Sequence, residues 1–410
     1  MDFSLTTEQK LLLNSVHEYC VKNIEPIWVK IDEEARIPPN IIKDLARLGV
    51  YGGVLSGEYG GSDMSFLDVA LVAEEVSSHE PSLSLGSIVS SWSNCWPFIV
   101  QLYGSDEAKG EFLPKITSGE ATIGIASTEA QGGSDVAGIY RVQARKINDD
   151  KWIISGEKSI VSGGAIMDSM PWGGGWFLIA RTAPIETRHK GLTNFILYRK
   201  KNGQIVEGIS YSRYKHMGRH ALESEILTIN VEVDDRYRVG GVNEGFRIAL
   251  EGFNLGRTFI GGSILGGVKW LINQGLEWIK SRQLFGKPLS SYQGISFELA
   301  KIYEEAEAAR LLVYKAAWLA DRYYRYKDPT IKPIDIGIAG AAAKTRATEV
   351  ALKAAQEIMQ WFGGMAYFTE MPIFRNLLAI YAFLQGAEGA PKTLRDLIAR
   401  SIVEGRVRME

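Results

Sequence analysis

Glu388 is a lone carboxylate in the segment QGAEGAPKTLR, residues 385–395. It lies between small neighbours, and no Cys, His or Asp stands within four residues of it. A carboxylate in such a segment is either a solvated charge in a turn or a general base that removes a proton from a bound ligand. The segment by itself leaves both interpretations open.

Two glycine-containing segments could hold a flat or polar ligand. In STEAQGGSDVAG, residues 127–138, the paired glycines would let backbone N–H groups approach a ligand closely, and Thr128 and Ser134 offer hydroxyls. In GEKSIVSGG, residues 156–164, the Ser162 hydroxyl could bond to a polar ring. Taken alone, the first also fits an ordinary glycine-rich turn and the second a plain hairpin.

A cation beside a turn is the main feature of SRQLFGKPLSSYQGISFELA, residues 281–300. Arg282 closes a predicted helix, Phe285 begins a sharp turn, and Gln293 starts the next helix. Such an arginine suits a phosphate group, but it could equally complement the dipole of the preceding helix. The downstream QWFGG, residues 360–364, reads by itself as a helix stopped by two glycines.

The elements that must position these residues fall into three blocks. Amphipathic helical patterns fill residues 1–121, short segments rich in Ile, Val, Thr and aromatic residues fill 122–241, and long helical patterns fill 242–410. NDDK is a hairpin signal, and PWGGGW at 171–176 is predicted to be a glycine-rich loop. The predicted architecture is multidomain α+β: an N-terminal α-helical domain, a middle β-barrel or sandwich, and a C-terminal four-helix bundle.

Composition excludes several classes of protein. The 410 residues carry a net charge of −2, which lacks the excess positive charge expected of a nucleic-acid-binding protein. No apolar run reaches the ~18 residues of a membrane span. The two cysteines fit neither a disulfide framework nor a metal site and suggest a reducing cytoplasm. His216 and His220 stand four apart, but Gly218 and the strand-like text around them argue against a metal pair, so no metal is predicted.

The order of these motifs resembles that of the acyl-CoA dehydrogenase family over almost the full chain. The helical block contains GEYGGSDMS and GSDEAKGEFLPKITSGE, the β block contains TE…GGSD and GEK…S, and the last block contains R-x-x-FG, Q-x-FGG and EGA. The resemblance implies that family's three-domain fold and an FAD cofactor. Three positions depart from the usual residues: Ile160 replaces Trp, Ala130 replaces Pro, and Met365-Ala366 replaces Asn-Gly.

The resemblance also implies which residues bind FAD. In relatives, a subunit's R-x-x-FG and Q-x-FGG segments bind the adenine side of an FAD that is held mainly by a neighbouring subunit, which implies a homo-oligomer, either dimer or tetramer. The implied cofactor-binding residues are Thr128, Gly133, Ser134, Ser162, Arg282, Phe285, Gln293, Gln360, Gly363 and Gly364.

A base and a substrate-binding set are implied in the same way. The family mostly carries its base in an E-G-T/A segment, which here is Glu388, and the implied substrate-binding residues are Ser134, Asn254, Arg257 and Gly389. Some branches carry the base just before the arginine that matches Arg257, but Gly256 stands there and has no side chain. The spacing from Arg375 to Glu388 is about four residues longer than usual, roughly one helical turn.

The implied activity is α,β-dehydrogenation of an acyl-CoA thioester, as in fatty acid metabolism, with electrons passed to an electron-transfer flavoprotein. The small neighbours of Glu388 would let its backbone N–H reach the thioester oxygen. Two rivals remain on the same fold. One is a flavin oxidase or monooxygenase that passes electrons to O₂, and the other is a non-catalytic protein that binds flavin or CoA in an assembly.

Overall fold

The computed structural model describes residues 4–135, 138 and 140–407. Along the chain a helical block is followed by a β-sheet and then by a second helical block, which confirms the predicted fold class. The ends of the predicted first and last domains, Met1–Phe3 and residues 408–410, lie outside the described residues. So do Val136, Ala137 and Ile139 in the 127–138 segment.

The first block begins at a capping box. The Thr6 side chain accepts the Gln9 N–H while the Gln9 side chain accepts the Thr6 N–H, so two backbone donors at the helix start are satisfied. A similar box at Ser65 begins the fourth helix. The helices of this block are α1 Thr7–Asn23, α2 Trp28–Glu33, α3 Pro39–Arg47, α4 Phe66–Ser77, α5 Ser84–Ser87, α6 Trp96–Tyr103 and α7 Asp106–Thr117.

A π-helical segment, Ile88–Cys95, joins α5 to α6. Every residue from 84 to 100 is buried, including the serines at 87, 90, 91 and 93. π-Helical turns are rare and often occur at functional sites. This buried, serine-rich segment forms one wall of the site described below.

The middle block is a nine-stranded sheet in the order β6-β5-β4-β2-β3-β8-β7, with β1 beside β4 and β9 beside β5. NDDK forms the predicted hairpin, since β2 and β3 pair antiparallel around it. A short helix, α8 Gly164–Ser169, follows β3. The strands are β1 Ala121–Ala126, β2 Gln143–Asn148, β3 Lys151–Ser162, β4 Gly173–Arg181, β5 Leu192–Lys201, β6 Gln204–Ile205, β7 Ile209–Arg213, β8 Ser224–Asp234 and β9 Arg238–Val239.

One local prediction in this block, and one alternative interpretation, were wrong. PWGGGW is no loop, because Gly173–Gly175 begin β4. A Cβ on Gly173 would lie 2.3 Å from the Lys200 carbonyl oxygen, and one on Gly174 would lie 2.1 Å from that of Thr122, so only glycine lets β1 and β5 approach β4 here. GEKSIVSGG is not a hairpin, because β3 runs on through it to Ser162.

The last block consists of long helices that pack closely. A Cβ on Gly262 or Gly266 would lie 2.4 Å or 2.2 Å from the carbonyl oxygens of Ala70 and Glu74, so these glycines let the ninth helix lie directly against α4. The helices are α9 Gly245–Ser281, α10 Gln293–Ala320, α11 Pro333–Phe362, α12 Ile373–Gln385 and α13 Pro391–Val403, with a hairpin of β10 Gln283–Leu284 and β11 Lys287–Pro288 after α9.

Arg375 fixes the start of α12 against the N-terminal helices. Its guanidinium is buried and bonds to Asp32 at 2.7 Å and to Glu33 at 2.6 Å. The α12 helix then runs to Gln385, and a short turn leads into α13. Within the described ranges, the helices include none with the length and hydrophobicity needed to span a membrane.

Candidate active site

Glu388 lies in the turn between α12 and α13, with its backbone in the left-handed region at φ +57°. Gly389 follows at φ +98°. A left-handed conformation is uncommon for a residue with a side chain and needs support from its surroundings. This turn therefore aims the Glu388 side chain inward only as long as neighbouring groups hold its backbone.

The carboxylate of Glu388 is buried against the π-helical segment. The Ser91 hydroxyl donates to its Oε1 at 3.1 Å, while Oε2 is buried and has no hydrogen-bond partner among the described residues. Burial raises the pKa of Glu388, and the charges of Arg257, Lys344 and Arg219 with the Ser91 bond offset part of that rise. A desolvated carboxylate with one free oxygen is well placed to accept a proton.

Gly256 on α9 faces this carboxylate. A Cβ built on Gly256 would lie 2.8 Å from Glu388 Oε2 and 3.0 Å from its carboxyl carbon. The space beside residue 256 is therefore the space that the Glu388 carboxylate fills. A side chain at 256 and the Glu388 carboxylate cannot both occupy it without a shift.

Two buried cations hold the backbone of the turn. The Arg257 Nε donates to the Glu388 carbonyl oxygen at 3.1 Å, and its Nη1 donates to Asn254 Oδ1 at 3.0 Å. The Lys344 ammonium donates to the Gly389 carbonyl oxygen at 2.6 Å and to that of Phe383. Burial lowers the pKa of Lys344 to about 7. These contacts stabilise the left-handed conformation of Glu388.

Three of the four predicted substrate-binding residues thus lie around the predicted base. Asn254, Arg257 and Gly389 form one cluster with Glu388. The fourth, Ser134, approaches from the middle block, with its hydroxyl 3.4 Å from that of Thr393 in the first turn of α13. The 127–138 segment therefore lies beside the helix that follows the base.

The segments predicted to hold the flavin ring are fixed by a buried ion pair. Lys158 Nζ bonds to Glu129 Oε1 at 2.9 Å, and the Glu129 carboxylate also accepts the N–H groups of Arg141 and Val142. Burial lowers the pKa of Lys158 to about 8, although Glu129 opposes the change. The pair ties β3 to the 127–138 segment, and the Ser159 N–H adds a bond to the Thr128 carbonyl oxygen at 2.8 Å.

Small and hydroxyl side chains lie close together in this region. Gly133 leaves room for Thr128, because a Cβ there would lie 3.1 Å from the Thr128 hydroxyl. The Ser162 hydroxyl lies 3.4 Å from that of Ser224. Ile160, at the position of the family's Trp, is 65% exposed and has φ +56°, an unusual conformation for a β-branched residue.

The remaining predicted cofactor residues form a separate, exposed cluster at the end of α9 and α11. Trp278 near the end of α9 donates to the Trp361 carbonyl oxygen at 2.8 Å, which joins the two helix ends. A Cβ on Gly363 or Gly364 would meet no atom within 4 Å. The exposed members of this cluster are Arg282, Phe285, Gln293, Gln360, Gly363 and Gly364.

Sequence reasoning missed Ser91 and Lys344. Ser91 lies 297 positions before Glu388, and only the polar letters of an otherwise apolar stretch, IVSSWSNC, hinted at a role. Lys344 is a lysine in an alanine-rich helix, which normally indicates a solvated face, yet it is completely buried. Neither residue carries a local signal of its contact with the turn that holds Glu388.

Comparisons with known proteins agree along the whole chain. Models of the acyl-CoA dehydrogenase N-terminal, middle and C-terminal domains match residues 6–120, 124–231 and 243–403. A short-chain-specific acyl-CoA dehydrogenase of Megasphaera elsdenii is 30% identical over 385 residues, which are 92% of this chain and 93% of that protein. The chain belongs to the acyl-CoA dehydrogenase family. It is an oxidoreductase, and its cofactor is FAD.

Two further matches cover this chain almost completely. An acyl-CoA dehydrogenase of Bacillus subtilis is 29% identical over 402 residues, 98% of this chain and 99% of that protein. The solved structure of butyryl-CoA dehydrogenase from Megasphaera elsdenii superposes with a TM-score of 0.87 at 27% identity, covering 98% of this chain and 100% of the other. Both place this chain's three blocks within one continuous acyl-CoA dehydrogenase fold.

The residues of this chain fit an FAD. The flavin-side segments offer the half-buried Thr128 and the exposed Ser134 beside small residues, and the second cluster offers an exposed arginine next to glycines with open space around them. Arg282 lies with its guanidinium 5.9 Å from the Trp278 ring centroid and its charge open to solvent. A diphosphate is the natural partner of such a cation.

We expect Arg282→Ala to weaken FAD retention, because it would remove the charge-assisted hydrogen bond that we predict between this cation and an FAD phosphate. Such bonds contribute roughly 1.5–3 kcal/mol, which corresponds to an FAD dissociation constant about 10- to 150-fold higher. Equilibrium dialysis of the flavin measures it. Lys280→Ala, which removes an exposed cation two residues earlier, is the matched control and should bind FAD as wild type does. If both variants retain FAD equally well, Arg282 does not bind the cofactor and only complements the dipole of α9.

Proposed function

We propose that this enzyme removes hydrogen from the α and β carbons of an acyl-CoA thioester to give the 2-enoyl-CoA, with Glu388 as the base. The observation that carries the proposal is the buried Glu388 carboxylate, whose Oε2 is unpaired among the described residues while Ser91 holds Oε1. A structural glutamate would normally have both buried oxygens satisfied. An oxygen kept free in a buried site is suited to take a proton.

The residues around Glu388 have separate tasks in this proposal. Glu388 Oε2 takes the α-proton, and the raised pKa makes the carboxylate a stronger base than one in water. Arg257 and Lys344 act as positioning residues, since each bonds to a carbonyl oxygen of the turn rather than to the carboxylate. FAD, when bound, supplies the acceptor for the hydride that leaves the β carbon.

A hydrogen-bond donor must also meet the thioester oxygen, where negative charge grows as the α-proton leaves. The backbone N–H of Glu388 is suited to this task, because no described residue accepts a hydrogen bond from it. Gly389 and Ala390 add no bulk beside it. The donor therefore lies on the same residue as the base, which fixes the thioester relative to the carboxylate.

The two separate cofactor clusters support a proposed assembly of subunits. Arg282, Gln360 and their neighbours are exposed at the end of the bundle, away from the Glu388 cluster. In this proposal they bind the adenine side of the FAD of a second subunit, so the working enzyme is a dimer or a tetramer. The electrons pass to an electron-transfer flavoprotein.

The proposal predicts that saturated acyl-CoAs reduce the bound flavin. FAD-loaded protein mixed anaerobically with straight-chain acyl-CoAs of several lengths should lose its oxidised-flavin absorbance, and mass spectrometry should find product lighter by two hydrogens. Rapid reoxidation by O₂ would favour a flavin oxidase instead. A flavin that no acyl-CoA reduces, in protein that retains FAD, would contradict the proposed activity.

A further inference from the structure

Two histidines and a glutamate converge between α1 and the end of α4. His17 Nδ1 lies 2.8 Å from Glu75 Oε1, His79 Nε2 lies 3.1 Å from the same oxygen, and the two nitrogens are 3.2 Å apart. The side chains of Glu75 and His79 are about nine-tenths buried, and that of His17 is half-exposed. Three atoms that can bind a metal thus point at one small volume with access to solvent.

Without a metal ion, at least one close contact in this cluster brings two acceptors or two donors together. His79 Nδ1 bonds to Glu25 Oε2 at 2.9 Å, and since a carboxylate only accepts, the ring hydrogen of neutral His79 is on Nδ1. Its Nε2 then presents a lone pair to the Glu75 carboxylate and to His17. One extra proton, on His79 Nε2, with the His17 ring hydrogen on Nδ1, would give Glu75 Oε1 two donors, but the two donor nitrogens would then lie only 3.2 Å from each other.

We propose that His17 Nδ1, Glu75 Oε1 and His79 Nε2 bind a zinc ion, with water in the fourth position. Ligand atoms ~2.0–2.1 Å from a tetrahedral zinc lie about 3.3 Å from one another, close to the separations found here. Two imidazoles with one carboxylate suit zinc better than calcium or magnesium, which prefer oxygen ligands. The half-exposed side of His17 leaves the fourth position open to solvent.

The surrounding residues match those expected of a metal site. Metal-bound histidines usually donate the other ring N–H to a carboxylate or a carbonyl, and Glu25 takes that place beside His79. Lys269 bonds to Glu75 Oε2 at 2.6 Å, which leaves only Oε1 for the ion. The positive charge of Lys269 disfavours a bound cation, and the negative charges of Glu25 and Glu75 offset that effect. The ion would join α1 to α4.

The histidine pair that the sequence suggested, His216 and His220, is not part of this cluster. His216 accepts the Ser224 N–H at 2.7 Å and His220 contacts Asp32 at 3.2 Å, so these rings serve the loop before β8. The proposed ligands come from positions 17, 75 and 79, and only the Glu-x-x-x-His spacing on one helical face was a local signal.

The test is zinc binding to FAD-loaded protein that has been treated with EDTA and dialysed against ZnCl₂. Wild type should hold one zinc per chain by atomic emission, and zinc should raise its melting temperature. His17→Asn should bind zinc at least ~100-fold more weakly, because it loses a direct ligand and even outer-shell losses cost 10–100-fold. The matched control is His189→Asn, at an exposed histidine on another block, which should bind zinc as wild type does.

Glu25→Gln provides a second variant with all three ligands intact. It should weaken zinc binding about 10- to 100-fold by removing the carboxylate partner of His79. The proposal is overturned if wild type holds no zinc, or if wild type, His17→Asn and Glu25→Gln bind it equally. The measurement does not use turnover, so its outcome is independent of the proposed reaction.

Discussion

Glu388→Gln should retain FAD and the fold and lose ~10²–10⁴-fold in the rate of flavin reduction by the best acyl-CoA. Glutamine has nearly the same size as glutamate and can still accept the Ser91 hydrogen bond at Oε1. It cannot take a proton at neutral pH. The substitution therefore removes the base and leaves the backbone N–H of residue 388 and the contacts of Arg257 and Lys344 in place.

Anaerobic stopped-flow mixing measures the rate of flavin reduction directly. The control is Glu370→Gln, which removes an exposed carboxylate from the turn before α12 and should change stability by no more than about 0.5 kcal/mol. A wild-type rate in Glu388→Gln together with a large loss in Glu370→Gln would move the role of base to Glu370. Equal rates in both variants and wild type would contradict a carboxylate base at either position.

The three blocks could be predicted from the sequence because their local patterns are strong. Long helical patterns predicted α9, α10 and α11, Gly363-Gly364 predicted the end of α11, and NDDK predicted the β2–β3 hairpin. The loop prediction for PWGGGW was wrong because its glycines are needed where β1 and β5 approach β4 closely, and the local sequence does not show that approach. In that segment tertiary packing overrides the turn propensity of glycine.

The candidate site was predictable only in part. Motifs identified Glu388 and Arg257, but they did not predict that Arg257 bonds to the Glu388 carbonyl oxygen rather than facing solvent. Ser91 and Lys344 reach the turn from distant parts of the chain, and their contacts depend on the packing of three helices. The longer spacing between Arg375 and Glu388 is compatible with a buried carboxylate. The turn after Gln385 contains residues in the left-handed conformation, and these direct the Glu388 side chain inward.

The Glu388 carboxylate and a side chain at 256 compete for one space, so the base should be movable between the two positions. In Glu388→Gly the carboxylate is gone and the space beside Gly256 is empty. Adding Gly256→Glu should then place a carboxylate in the same cavity from α9. The double variant should reduce flavin at least ~10-fold faster than Glu388→Gly alone. This gain is only a small part of the rate enhancement that a well-positioned base contributes.

The single variant Gly256→Glu should behave in the opposite way. Its Cβ would lie 2.8 Å from Glu388 Oε2, and a second negative charge would be buried beside the first. Overpacking alone costs about 1–3 kcal/mol of stability, and an unpaired buried charge adds to that cost. We therefore expect a lower melting temperature and a large loss of flavin reduction.

The double variant Gly256→Gln with Glu388→Gly separates a transferred base from a filled cavity. Glutamine fills the space as glutamate does but takes no proton, so this variant should stay as slow as Glu388→Gly. If both double variants reduce flavin equally fast and faster than Glu388→Gly, the gain comes from packing, and the carboxylate is not the base. If only the glutamate variant recovers, the reaction requires a carboxylate in this cavity but does not require it at position 388, because a carboxylate can enter the cavity from α9 as well as from the turn before α13.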